Sequence, residues 1–84
     1  MVSDGDCVAI FNSVHRVMKA EKLLKAVSLD VLLIPVPRQL SSDCGLAIRF
    51  RVALQAELET TLTKAGLDDV EIWCKLDGVL TKLV

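Results

Sequence analysis

Residues 30–50 of this chain read DVLLIPVPRQLSSDCGLAIRF, and this stretch decides the predicted fold. Two apolar runs, 30–34 and 46–50, have the length and composition of β-strands. The residues between them are polar and include two prolines, which end the first run. The stretch therefore predicts two consecutive strands joined by a polar loop.

Upstream of this stretch, the sequence predicts a short buried strand, Asp6–Phe11, and a helix over residues 14–27. Asn12 and Ser13 are both good N-cap residues for that helix. Six apolar residues share one broad face of its helical wheel, and this face is expected to be buried: Val14, Val17, Met18, Ala20, Leu24 and Val27.

Downstream, a second helix is predicted over residues 52–65, with Gly66 as its C-cap. Its expected buried residues are Leu54, Leu58, Leu62 and Ala65. A fourth strand follows over residues 70–74. The tail, 75–84, is predicted to form either one more helical turn or a strand.

The order βαββαβ predicts an α+β fold, a ferredoxin-like sandwich with a four-stranded antiparallel sheet and two helices on one face. In this topology the first two strands are parallel, and the third lies between them, antiparallel to both. At 84 residues the chain is long enough for one small domain, residues 1–84, with a core over about 6–74 and the tail 75–84.

Residues 8–11 of the first strand and 31–34 of the second are apolar at every position, so the sheet face away from the helices should expose aliphatic side chains. Trp73 and Arg49 should also lie on this open face. The tail carries Leu76, Val79, Leu80 and Leu83, and we expect it to cover the open face or to bring two copies together there. A homodimer is the favoured outcome.

Composition excludes several classes of protein. The net charge of −1 gives no electrostatic case for nucleic acid, and no segment is long enough to span a membrane. An odd count of three cysteines without disulfide-framework spacing, after an acidic N-terminus, indicates a reducing cytoplasm. The chain has no C-x-x-C pair and no glycine-rich phosphate loop, so we expect no metal and no cofactor.

Cys44 is the candidate functional residue, because it lies in a polar, proline-stiffened loop where a thiol can be reached. The alternative is a small residue at the entrance of a strand. In the predicted topology this loop lies beside the N-terminus of the first helix, which stabilises a thiolate. Cys7 and Cys74 fall at the opposite end, half-buried on adjacent strands where they can face each other, too far away to act with Cys44.

Six residues are candidates to support Cys44: Ser13, His15, Arg38, Ser41, Ser42 and Gly45. His15 lies in the first helical turn, where it could pair with the thiolate, although such a residue is more often a solvated helix position. Arg38 could hold an anionic persulfide or an incoming anion, and a solvated loop arginine is the alternative. Gly45 would let another molecule approach closely.

Four segments together resemble a known family, the selenium/sulfur carrier-like proteins of bacteria and archaea. They are FNSVH (11–15), AEKLL (20–24), PVPR (35–38) and SSDCGLA (41–47). The proline–arginine run followed by Ser-Ser-x-Cys-Gly is the specific part. The resemblance implies that Cys44 is the carrier residue. The chain departs from the family pattern at the start of the second helix and in the tail after Cys74.

The leading hypothesis is a small carrier, not an enzyme but at most a thiol in a transfer relay, that holds sulfur or selenium on Cys44 as a persulfide or perselenide. A cysteine desulfurase or selenium donor protein would load it, and an acceptor enzyme would unload it. One alternative is a non-enzymatic ligand-binding or regulatory module. Another is a redox-sensing thiol that is glutathionylated. The choice of sulfur or selenium, of donor and of acceptor is not encoded in any motif.

Overall fold

The computed structural model describes residues 2–40 and 45–84. Within them the chain forms β1 (Asp6–Phe11), α1 (Val14–Ala26), β2 (Leu32–Pro35), β3 (Leu46–Arg51), α2 (Gln55–Lys64), β4 (Val70–Leu76) and β5 (Val79–Lys82). A 3-10 turn, Val52–Leu54, leads into α2. The predicted elements are all present with small shifts at their ends, and the tail forms a strand rather than a helical turn.

The strands form a single five-stranded sheet in the order β2-β3-β1-β4-β5, in which every neighbouring pair is antiparallel. The predicted α+β class is confirmed. The prediction that the third strand lies between the first two, antiparallel to both, is also confirmed. The sheet has one strand more than we predicted, because β5 pairs with β4 at the edge.

Both helices pack on one face of the sheet and form the main core with it. Its largest buried side chains come from three strands and both helices: Phe11, Phe50, Ile48, Ile72, Leu24, Leu58 and Leu62. Burying a leucine or phenylalanine contributes about 1.5–3 kcal/mol. This layer therefore supplies most of the stabilisation of so small a domain.

The buried face of α1 is narrower than the sequence predicted. Val17, Ala20 and Leu24 are fully buried, but Val14 and Met18 are each 46% exposed. The three buried residues follow an i, i+3, i+7 stripe, which is the part of the wheel that a single flat sheet can cover. The apolar pattern of α1 therefore predicts the helix correctly but predicts a core face that is too broad.

The open face of the sheet is covered mainly by the loop after β2, not by the tail. Val8, Ile10, Ile34 and Ala47 are buried on this face, and Val2, Val36, Leu40 and Trp73 pack against them. The placement of Trp73 on the open face is confirmed. Three of the four tail residues expected to provide cover are instead exposed: Leu76, Val79 and Leu83. No helix in the described part of the chain is long and apolar enough to cross a membrane.

Candidate functional site

Cys44 and its neighbours Ser41, Ser42 and Asp43 lie outside the described residues, but both flanks of this segment are described. On one side, Val36 donates a backbone hydrogen bond of 3.1 Å to the carbonyl of Gly45. Gly45 is exposed and has a φ of +71°, a left-handed conformation that suits glycine. The residue after Cys44 is thus held against the residue that follows β2.

The register of the sheet places Gly45 at the edge where β1 ends and α1 begins. Ala47 lies opposite Ile10 of β1, and Leu46 lies opposite Pro35 of β2. Gly45 is therefore near the end of β1, as the predicted topology required. The position of Cys44 beside the N-terminus of α1 stays a prediction.

Ser13 is the N-cap of α1. Its Oγ accepts a hydrogen bond of 3.2 Å from the backbone N–H of Arg16, and its backbone is extended. Asn12, the other candidate cap, donates its side-chain amide to Asp69 Oδ2 at 3.0 Å instead. His15 is exposed in the first turn. These residues lie at the start of α1, which packs on the face of the sheet that carries both helices.

Arg38 lies on the other side of the sheet. It sits at the corner of a turn closed by a 3.0 Å hydrogen bond from the Leu40 N–H to the Pro37 carbonyl. The turn folds over the open face, where Arg38 lines a cavity. Among the described residues, the predicted supporting cluster is thus divided: Ser13 and His15 belong to the helix layer, and Arg38 belongs to the opposite face.

Cys7 and Cys74 form a disulfide between the adjacent strands β1 and β4. Their Cα atoms are 4.0 Å apart, and both residues are fully buried under the helices. The prediction that they face each other is confirmed. They are not half-buried, however, and two of the three cysteines form a disulfide. The cysteine count therefore does not support the predicted reducing compartment. Of the three cysteines in the sequence, Cys44 is the one outside the disulfide.

A cavity of about 660 Å³ lies on the open face, and sequence reasoning did not find it. Here it is called the open-face cavity. Its lining includes Val36, Arg38 and Leu40 of the loop, Trp73 and Lys75 of β4, and Leu80 of β5. The sequence indicates one wall of the cavity, because Trp73 and Lys75 are two positions apart in a strand and therefore lie on the same face of the sheet. The partner wall comes from residues far away in sequence, so no local pattern reveals it.

The described residues contain no group of three or more His, Cys, Asp or Glu side chains that could hold a metal ion. Residues 2–40 and 45–84 also contain no buried side-chain nitrogen or oxygen without a hydrogen-bond partner.

The fold and the site define a class: a small α+β domain with a Pro-x-Pro-Arg turn leading into a single cysteine outside a buried disulfide. A family model described as "Putative Se/S carrier protein-like" matches residues 6–74, which include Cys44. The chain belongs to this family, as its motifs indicated. No curated protein and no solved structure matches the chain.

Proposed function

We propose that this protein carries sulfur or selenium on Cys44 as a persulfide or perselenide and delivers it to an acceptor enzyme. The observation that carries this proposal is the family match over residues 6–74, which includes the Ser-Ser-Asp-Cys-Gly run. The disulfide supports it, because Cys7 and Cys74 are bonded to each other and buried. A carrier needs one thiol that reacts and no competing thiols nearby.

The transfer needs no cofactor and no net oxidation. The Cys44 thiolate attacks the terminal sulfur of a persulfide on the donor, the donor's S–S bond breaks, and the donor cysteine leaves as a thiolate. The new S–S bond leaves a sulfane sulfur on Cys44, which an acceptor nucleophile takes up while Cys44 returns to the thiolate. Selenium follows the same course as a perselenide.

The proposal includes three features of the described residues on either side of Cys44. The N-terminal N–H groups of α1, capped by Ser13, would favour a thiolate on that side of the sheet. Arg38 would hold the anionic persulfide or the approaching donor from the other side. Gly45 leaves space at the loop, since apart from its chain neighbours no atom of the described residues lies within 4 Å of a Cβ placed there.

Incubation with a cysteine desulfurase and cysteine is expected to add the mass of one sulfur to the protein. Reductant should remove this sulfur, and Cys44→Ser should not gain it. Peptide mapping of the loaded wild type is the control and should find the added sulfur on the peptide that contains Cys44. The Cys7–Cys74 disulfide is fully buried and stays closed in the folded protein, and its reduction on unfolding adds only two hydrogens, a change that is resolved from the loss of sulfur.

Other outcomes of this mass experiment would contradict the carrier proposal. A protein that gains nothing from a desulfurase or a selenium donor is not a carrier of either element. A gain on Cys7 or Cys74, located by peptide mapping, would place the reactive thiol elsewhere. Addition of glutathione from a mixture of peroxide and glutathione, without any sulfur transfer, would favour the redox-sensing thiol instead.

We further propose that the protein forms a homodimer through its tail. Four apolar residues of the tail are 40–62% exposed: Leu76, Val79, Leu83 and Val84. Two of them, Leu76 and Val79, lie side by side at the sheet edge. Light scattering should give the mass of two chains, and Val79→Lys, which adds a charge to the edge, should give one. A wild type that scatters as a monomer at high concentration would disprove the dimer.

The order of the first four strands and two helices is the basis on which we interpret the core as ferredoxin-like, with β5 as an addition at the edge. For the carrier proposal, the one consequence of this topology is the position of the loop after β2. It brings that loop to the edge where α1 begins.

A further inference from the structure

The open-face cavity lies on the side of the sheet away from both helices. Its volume, about 660 Å³, is within the range of pockets that bind small organic molecules. One wall is the loop after β2, and the other is formed by Val2 and the hairpin between β4 and β5. Trp73 and Ile34 contribute the sheet surface between these walls.

Both walls are held in place by the protein itself. Pro35 and Pro37 restrict the loop, and the Pro37–Leu40 turn and the Val36–Gly45 hydrogen bond close it. On the other side, Lys75 Nζ donates a 3.1 Å hydrogen bond to the Val2 carbonyl. The Gly78 N–H donates a 2.9 Å hydrogen bond to Asp4 Oδ1, which ties the N-terminal segment to the hairpin. A cavity with fixed walls loses little entropy when a ligand enters.

The charge of the cavity is opposite to that of the whole chain. Among the described residues that line it, Arg38 and Lys75 are basic and none is acidic, although the chain carries a net charge of −1. The lysine ammonium has three donors, and one of them is used by the Val2 carbonyl. Two cations in a partly enclosed site attract an anion more strongly than the same cations on an open surface.

The rest of the lining is mainly apolar. Aliphatic side chains come from β2, the loop and β5: Ile34, Val36, Leu40 and Leu80. The half-buried indole of Trp73 adds a broad apolar surface. The indole N–H donates a 3.1 Å hydrogen bond to Glu71 Oε1, so its donor is already used. An occupant therefore needs an apolar body as well as a negative charge.

We propose that the open-face cavity binds a small organic anion with an aliphatic body, for which a medium-chain carboxylate is the model. The carboxylate lies between Arg38 and Lys75, and the hydrocarbon chain lies against Trp73 and Leu80. The residues that form this site do not include Cys44, and binding of such an anion goes beyond the carrier function. Arg38 would then serve two roles, towards the organic anion and towards the persulfide.

Trp73 makes the proposal directly measurable, because the sequence contains one tryptophan and no tyrosine. We expect octanoate to produce a saturable change in intrinsic fluorescence at low salt. Acetate supplies the charge without the body and octan-1-ol the body without the charge, and neither should produce a saturable change in the same range. The same titration on Cys44→Ser should give the same dissociation constant, which separates this site from the carrier chemistry.

Two variants test the charges in the cavity. Arg38→Gln should weaken octanoate binding about tenfold, the equivalent of losing one charge-assisted hydrogen bond. Lys82→Gln is the matched control: it removes a positive charge from the strand position opposite Trp73, but Lys82 does not line the cavity. Its dissociation constant should stay within about twofold of the wild type, since an exposed charge outside the site contributes little.

Three outcomes would overturn the proposal. Equal binding of octan-1-ol and octanoate would show an apolar groove without anion selectivity. Equal weakening by Lys82→Gln and Arg38→Gln would show that octanoate senses only the overall charge of this face. The absence of any saturable fluorescence change would show that the cavity does not bind this class of ligand, and it would leave sulfur loading of Cys44 unaffected.

Discussion

Reduction of the Cys7–Cys74 disulfide is expected to lower the free energy of unfolding by about 4 kcal/mol. The bond joins residues 67 positions apart, and a crosslink across a loop of this length removes that much conformational entropy from the unfolded chain. In the folded protein the pairing of β1 with β4 places the two residues directly opposite each other. The loss is comparable to the entire stability of many domains of this size.

Urea unfolding with and without a phosphine reductant measures this effect. Because both sulfurs are fully buried, the reductant must be added to unfolded protein before refolding. Reduction should lower the free energy of unfolding of Cys44→Ser by as much as it lowers that of the wild type. Cys7→Ala/Cys74→Ala should start from the lower stability and should not respond to the reductant. Equal midpoints for the oxidised and reduced wild type, with the thiol count verified, would contradict the prediction.

Leu24→Ala is expected to destabilise the protein by about 3 kcal/mol. The Leu24 side chain is fully buried in α1 between the sheet and the rest of the core. Removing it loses the transfer free energy of its methyl and methylene groups and leaves a cavity in the packing. The unfolding midpoint in urea should fall with little change in slope.

Met18→Ala is the matched control for Leu24→Ala. Both residues belong to α1, and the sequence pattern placed both on the same apolar face, but Met18 is 46% exposed. Its loss should change the free energy of unfolding by no more than about 0.5 kcal/mol, as for most surface substitutions. Similar losses for the two variants would mean that the broad face predicted from the sequence is the one that packs.

The local sequence predicts most of the secondary structure correctly. The type and order of the elements follow from local properties: strand runs ended by prolines, a capping serine and a glycine after the second helix. Ser13 accepts the hydrogen bond that an N-cap should accept, and Gly66 has a φ of +75° beyond α2. The family, too, was evident from short motifs. Such signals depend only on residues close in sequence, so the chain alone determines them.

The tertiary structure decided which of the predicted surfaces are covered and which cysteines meet. Val14 and Met18 have the right spacing for a core face, but the sheet covers only the stripe through Val17, Ala20 and Leu24. The tail had the right composition to cover the open face, but hydrogen bonding to β4 made it an edge strand, and the loop after β2 took that place. Covering a face requires that an element reach it, which depends on the path of the whole chain.

The disulfide and the open-face cavity belong to the same category. Cys7 and Cys74 could be placed on adjacent strands from topology, but their bond required the actual register of β1 and β4. The lining of the cavity includes Arg38 and Lys75, which come from two parts of the chain with no local relation. The sequence by itself thus determined the elements, their order and the family, because those are local properties. Only tertiary structure decided the pairing of the cysteines and the charge of the open face, because both depend on contacts between residues distant in sequence.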